Sequence, residues 1–417
     1  MRRKATILGL LVFLTCTLIR NTVNPAVSTY AASRLESVRS NGFFVLEPPS
    51  TDKVLSGIAW KPDGSCFLLT ALDRHGYGSE IFKYDGHFYT LLLNDTEIII
   101  QGVAWHPNGS YALITAHYYA NQNHRYRLLR YDGDNFSTIT EGGTHDMRRI
   151  AWKPDGSYAL IVGGDFATGG MIWRYDGVNL TSVYDGDNSF SKFMKVKWKP
   201  DGSFALIVDF FSTIFEYNGT DISELATFDS LSIHSVSWSA DGSYALITAW
   251  YNLEWEEHLV VLKFDGAEFV DVTHHVGTEN RLYGASSSGT AGTLIVGTNG
   301  VVLVYDGMAF TMLTEGIYPD LRCVKWKPDG SQALIAGGGG TFLLFYMPDP
   351  LLKWNPADVN SDWIVDIYDL VIAASAYGST PMDPNWNHYC DLSEPYREID
   401  IFDIVTIAIN YGQEYPP

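Results

Sequence analysis

Cysteine is scarce in this chain, with four residues among 417. Cys16 lies in the apolar start, and Cys66, Cys323 and Cys390 remain, an odd number that implies no disulfide framework. Basic charge is also scarce: 28 Lys and Arg stand against 48 Asp and Glu, for a net charge of −20. Such a chain is repelled by phosphate backbones and anionic lipid, so neither nucleic acid nor a membrane surface is an expected partner. Calcium is the better match. A membrane-length apolar stretch is not apparent either. The run at residues 7–19 would cover about 20 Å as a helix, short of the ~30 Å hydrocarbon core of a bilayer. With Arg2, Arg3 and Lys4 before it and Ala31-Ala32-Ser33 after it, residues 1–33 read as a secretory leader. Export would leave a secreted or cell-surface protein without a membrane span; an uncleaved N-terminal anchor is the alternative. Catalytic signatures are wanting: there is no Gly-x-Ser-x-Gly elbow, and the histidines show no zinc-ligand spacing.

What the chain has in abundance is one phrase, repeated. GIAWKPDGSCFLLT begins at Gly57, GVAWHPNGSYALIT at Gly102, RIAWKPDGSYALIV at Arg149 and KVKWKPDGSFALIV at Lys195. SVSWSADGSYALIT follows at Ser235, a degenerate GASSSGTAGTLIVG at Gly284 and CVKWKPDGSQALIA at Cys323. The anchoring tryptophans Trp60, Trp105, Trp152, Trp198, Trp238 and Trp326 are spaced by 45, 47, 46, 40 and 88 residues. The last interval is two periods, with Ser286 or Ser287 in the missing anchor's place. About twenty residues after each anchor comes a second signal, YDG, at Tyr84, Tyr131, Tyr175 and Tyr305, with variants at Tyr217 and Phe264.

Each copy predicts four short strands. In the third, a strand ends at Trp152, Pro154-Asp155-Gly156 turns the chain, and Tyr158 opens a β-branched second strand. Asp176-Gly177 then marks a second hairpin. One such sheet cannot cover its own faces, so the copies must stack radially into an all-β, seven-bladed propeller over residues 34–350. The seventh copy loses its last hairpin near Phe345, and residues 43–46 are the natural supplier of the missing strand. The repeats resemble the WD40-like, PD40-type propeller repeats of secreted archaeal and bacterial proteins, over roughly residues 43–347. That resemblance implies a fold and says little of function.

The PDG and YDG turns must share one side of the disc. The variable loops share the other, and they carry eight of the eleven histidines and many aromatics. Arg148, His234 and Arg322 stand four residues before an anchor, with Arg149 adjacent and Arg281 in the degenerate copy. Together with Tyr118, Trp250 and Trp255 they suggest a site for an anionic ligand, such as a carboxylated sugar. Pairing with Asp146, Asp165, Asp209 or Glu256 would make the same residues a solvated rim.

From Trp354 a different duplication begins. Residues 366–371, DIYDLV, match residues 400–405, DIFDIV, and Tyr377-Gly378 matches Tyr411-Gly412 at the same offset of 34. Before the first helix, Asp358, Asn360, Asp362, Asp366 and Asp369 fall at positions 1, 3, 5, 9 and 12 of a loop, with the Ile364 carbonyl available. That is calcium-loop spacing. Carboxylates so crowded repel by roughly 4 kcal/mol per pair at 4 Å and an effective dielectric of 20, which a bound cation relieves. The second loop offers Asp391, Ser393, Asp400 and Asp403, but carries one extra residue and Pro395. Trp363 stands where the first loop would favour glycine. Residues 354–415 resemble a dockerin domain: two loop–helix units joined by DPNWN at residues 383–387. The resemblance implies a Ca2+-dependent fold that docks a cohesin partner through Ile367, Tyr368, Ile401 and Phe402. The combined expectation is an extracellular propeller that recognises a glycan or surface protein and is attached through its tail. A polysaccharide lyase or glycoside hydrolase with its chemistry on the variable-loop face is the alternative.

Overall fold

The computed structural model describes residues 29–31, 43–46, 49, 53–73, 78–86, 88–120, 123–143, 145–165, 169–185, 192–228, 231–253, 256–289, 291–346, 357, 359, 365–380, 383, 390 and 399–412. Two compact units divide at Tyr346.

The first unit is a seven-bladed β-propeller. Its sheets are antiparallel, and in chain order each blade runs from an inner strand ending at the anchor position to an outer strand. The third blade comprises Asp146–Trp152, Ala159–Asp165, Gly169–Tyr175 and Leu180–Asp185. The seventh contributes only Leu321–Trp326, Ala333–Gly337 and Phe342–Phe345 in sequence, and Phe43–Val45 pairs antiparallel with Phe342–Phe345 as its outer strand. The ring therefore closes by a strand from its own N-terminal side, as the truncated seventh copy requires. Thr29–Ala31, inside the segment read as a leader, pairs with the outer strand of blade one. In blade six, Ser287 faces Thr293 where the other blades place a tryptophan, which identifies the missing anchor as Ser287.

The repeated turn is explained by its hydrogen bonds. The Asp155 carboxylate accepts from the Ser157 backbone N–H at 2.9 Å and from its hydroxyl at 2.6 Å, and Asp63, Asp201, Asp241 and Asp329 repeat the arrangement. Gly64, at φ +70, turns its open side to the Lys327 stem of the preceding blade, where a Cβ would lie 2.9 Å from Cε. The lysine of each W-K-P-D-G-S copy is thereby a clasp between blades as well as a partner of its own aspartate. In the YDG turn the tyrosine hydroxyl donates to the glycine carbonyl two residues on, at 2.8 Å for Tyr175 to Gly177.

The second unit holds helices Ile367–Ala376 and Ile401–Ile409. Each starts with a reciprocal capping box: Asp366 accepts from Tyr368 N while Asp369 accepts from Asp366 N, and Asp400 and Asp403 repeat this at the second helix. Each ends at a glycine whose N–H bonds the residue preceding the other helix's cap. Gly378 N meets Ile399 O at 2.8 Å and Gly412 N meets Val365 O at 2.7 Å. The 34-residue duplication is thus a reciprocal pair of helices around Val365, Ala373, Cys390, Ile399 and Ile407.

Candidate functional site

Every inner strand of the propeller carries a bulge at one position. The register skips Ser56, Gln101, Arg148, Met194, His234, Tyr283 and Arg322, each four residues before the anchor position. A bulge re-aims the extra residue out of the ladder, so seven side chains are presented at the variable-loop end of the channel. Blades two and five also extend their second hairpins, Ala112–Ala120 with Asn123–Tyr131 and Ala245–Leu253 with Glu256–Phe264.

On blades five, six and seven these features converge. The Arg281 guanidinium lies over the Trp250 ring at 4.0 Å, and the Trp250 indole N–H donates to His234 Nε2. His234 meets Tyr283 edge-on, with ring centroids 5.1 Å apart, and Arg322 sits 5.7 Å from the Tyr283 centroid. Burial, with the charges of Lys195 and Arg281, pushes the His234 pKa down to about 4, so the imidazole is neutral at pH 7. Its Nε2 is an acceptor, which places the ring proton on Nδ1. The result is a row of three rings, Trp250, His234 and Tyr283, flanked by the guanidinium groups of Arg281 and Arg322.

Other residues of the sequence-derived set lie elsewhere. Arg148 pairs with Asp146 at 3.3 Å, and the buried Lys192 holds the same carboxylate at 2.7 Å. This part of the rim follows the self-paired arrangement, although the buried Arg148 Nε has no acceptor. Arg149 donates to the carbonyls of Gln101 and Arg148, so its guanidinium is spent on the inner strands of blades two and three. Tyr118 lies under the Arg127 guanidinium at 4.9 Å and packs in the core of blade two. Trp255 falls outside the described residues.

Below the mouth, the positions three and one before the anchor form two levels of the channel. Five blades place Gly57, Gly102, Ser235, Gly284 and Cys323 at the upper level and Ala59, Ala104, Ala151, Ser237 and Ser286 fill five places at the lower. The remaining positions are Arg149 and Lys195 above, Lys197 and Lys325 below. Lys197 of blade four and Lys325 of blade seven stand at the same level of their inner strands, and each carries a cation toward the centre of the ring. Repulsion from Lys325, with burial, brings Lys197 down to about 7. Burial and the charges of Arg149 and Arg148 carry Lys195 well below its ordinary value. Among the described residues no carboxylate pairs with Arg149, Lys195, Lys197 or Lys325. Reading the chain copy by copy did not single out these lysines; only an alignment of the copies, showing Gly, Ala or Ser in their place, would have done so.

In the helical unit, Asp358, Asn360, Asp362, Ile364, Asp391 and Ser393 lie outside the described residues. Asp369 and Asp403 are wholly buried, and Asp366 and Asp400 are the caps. The described residues include no group of three metal-ligating side chains. Buried carboxylates beside a helix start are hard oxygen donors, the kind Ca2+ takes. The four residues expected at the docking surface are all exposed: Ile367, Tyr368, Ile401 and Phe402. Val371, Val405 and Ile409, on the same two helices, are exposed as well. Cys66 and Cys390 are buried free thiols and Cys323 is a half-buried one.

The first unit is thus a seven-bladed propeller with a cation-rich mouth and throat. No family model matches the chain, and no curated protein is similar to it. Among solved structures it is similar to hydrazine synthase of Kuenenia stuttgartiensis, at 14% identity and a TM-score of 0.56, over 72% of this chain and 97% of that one. At that identity the likeness is one of fold.

Proposed function

We propose that this is a secreted or cell-surface binding protein whose propeller takes an acidic glycan at the channel mouth and whose helical tail attaches it to a larger assembly. The observation that carries the reading is the row Arg281, Trp250, His234, Tyr283 and Arg322, drawn from three blades onto one stretch of rim. Sugar rings stack on indole and phenol faces, and the flanking guanidinium groups select those bearing carboxylates. Five side chains from three rigid sheets preorganise the surface, which favours recognition without rearrangement. The tail reading rests on the duplicated, exposed apolar residues Ile367, Tyr368, Ile401 and Phe402, placed at equivalent positions of two reciprocally capped helices. A cohesin-type partner and loop-bound Ca2+ fit that arrangement. Ca2+ would be held by Asp369 and Asp403 together with the loop residues before each helix, and would neutralise their charge. Calorimetric titration with oligogalacturonate against a neutral oligosaccharide tests the mouth: the acidic sugar alone should bind, and equal binding of both, or of neither, contradicts the reading.

A further inference from the structure

We propose that the seam between blades one and two is a second binding site, for a small neutral phenol, at the turn end of the blades. The ligand would take the place of an aromatic ring that blades two to five supply and blade one omits.

The ring follows the serine of the repeated turn. It is Tyr111 in blade two, Tyr158 in blade three, Phe204 in blade four and Tyr244 in blade five. The first three meet the anchoring tryptophan of the next blade edge-on, Tyr111 to Trp152 at 5.7 Å between centroids, Tyr158 to Trp198 at 5.6 Å and Phe204 to Trp238 at 5.4 Å. The tyrosines also lie beneath a cation of their own blade: Arg130 is 4.1 Å from the Tyr111 centroid, Arg174 is 4.0 Å from that of Tyr158 and Lys263 is 4.8 Å from that of Tyr244. Their hydroxyls end at the turn glycine of the next blade. A Cβ at Gly177 would stand 3.7 Å from the Tyr111 hydroxyl, and one at Gly219 would stand 3.5 Å from that of Tyr158.

Blades six and seven carry Ala291 and Gln332 at this position, and blade one carries Cys66. Beside Cys66 lies a cavity of about 350 Å³, near the small end of the ~300–1,000 Å³ usual for small-molecule sites. Its walls are the counterparts of those around Tyr111: Trp105 stands for Trp152, Lys83 for Arg130, and Asp132 with Gly133 for Asp176 with Gly177. At Gly133 an added Cβ would meet nothing within 4 Å among the described residues, so the place reached by a tyrosine hydroxyl in the next two blades is open here. A space left by a missing ring takes up a ligand of that shape. Lys61 and Lys83 balance Asp85 and Asp132 in the lining, which favours an uncharged ligand. Asp85 and Asp132 are exposed, so the cavity is reached from solvent. Burial pushes the Cys66 thiol up, which makes it a neutral wall of the cavity. Nothing here rests on the glycan reading, because the mouth row belongs to blades five to seven and to the other end of the inner strands.

The test is isothermal titration of the full chain with p-cresol, the tyrosine side chain as a free molecule, and with cyclohexanol as a saturated control. Saturable p-cresol binding is expected, with cyclohexanol bound several times more weakly because it offers no aromatic face to Lys83 or Trp105. Cys66→Tyr and Cys66→Phe restore the rings used by blades three and four, and each should raise the melting temperature and lose p-cresol binding. Lys83→Met, at the rim, should weaken binding severalfold, and this arm stands even where a filled variant does not fold. No saturable p-cresol binding, equal affinity for cyclohexanol, binding retained in a folded Cys66→Tyr or Cys66→Phe protein, or unchanged affinity in Lys83→Met would overturn the proposal. Arg281→Ala should lose the acidic sugar and keep p-cresol, which separates failure of one site from failure of the other.

Discussion

Removing the Phe43 side chain should open the ring at its seam. Phe43 is wholly buried, with its ring 4.7 Å from Phe345 and 6.3 Å from Tyr318, in the cluster that also holds Trp326 and Leu343. An aromatic side chain buries roughly 150–250 Å², worth about 4–6 kcal/mol at 25 cal/mol per Å². Alanine keeps the Cβ, and large-to-small aromatic changes in cores cost about 3–5 kcal/mol. The closing strand is only Phe43–Val45, so a loss of this size exceeds what three residues of ladder can hold. The expected result for Phe43→Ala is a fall in stability of about 3–5 kcal/mol, seen as a lower urea midpoint. Hydrogen exchange should rise first in residues 43–46 and 342–346 and only later in blades two to five. A midpoint shift equivalent to less than about 1 kcal/mol, with no local rise in exchange, would refute closure by this strand.

Three further outcomes follow from the same structure. The turn carboxylates Asp201 and Asp241 are lowered to about 2, the first chiefly by the Ser203 hydroxyl and the second by that of Ser239. Because the folded value is depressed, their contribution is complete above the ordinary carboxylate range and is lost as pH falls through about 2. Asp201→Asn, which copies the Asn108 turn of blade two, should lower the urea midpoint at pH 6 and match the wild type near pH 2; a pH-independent difference would contradict the assignment. Chelating Ca2+ should lower the melting temperature of the helical unit and leave the propeller transition in place, and Asp369→Ala should reproduce the loss; two transitions unmoved by chelator would remove the metal from the account. Tyr368→Ser with Phe402→Ser should abolish capture of a cohesin-type partner without changing helicity by circular dichroism.

The repeat made the architecture legible because its residues have local jobs. Proline and glycine set the turn, aspartate caps it, and the tryptophan and tyrosine fill the space between blades, so each copy announces the same succession of strands. Closure was legible for a related reason: a blade short of one strand must borrow it, and residues 43–46 were the nearest apolar candidate. The degenerate copy hid its anchor because Ser286 and Ser287 are alike in sequence, and only the pairing with Thr293 separates them. The site was harder to read. Convergence of Arg281, His234 and Arg322 depends on bulges in three strands and on a hairpin that carries Trp250 back over the rim. Arg148 looked equivalent to them, but its fate was decided two residues earlier by Asp146 and across the chain by Lys192. Tyr118 belongs to an extended hairpin, yet its strand turns it away from the channel and under Arg127. The throat lysines escaped notice because a lysine in a short strand reads as solvent-facing. Their meaning lies in which other blades they face, and that is a property of ring closure.

The most direct test of the functional claim is the affinity of the propeller for an acidic oligosaccharide, measured by titration in the wild type and in Arg281→Ala and Trp250→Ala. Loss of a charge-assisted contact, worth about 1.5–3 kcal/mol, predicts affinity lowered tenfold or more in Arg281→Ala, and loss of an aromatic face, worth about 0.5–2 kcal/mol, a severalfold fall in Trp250→Ala, with neutral sugars bound by none. Equal affinity in all three proteins, or binding that ignores the carboxylate, would contradict the assignment of this mouth to an acidic glycan.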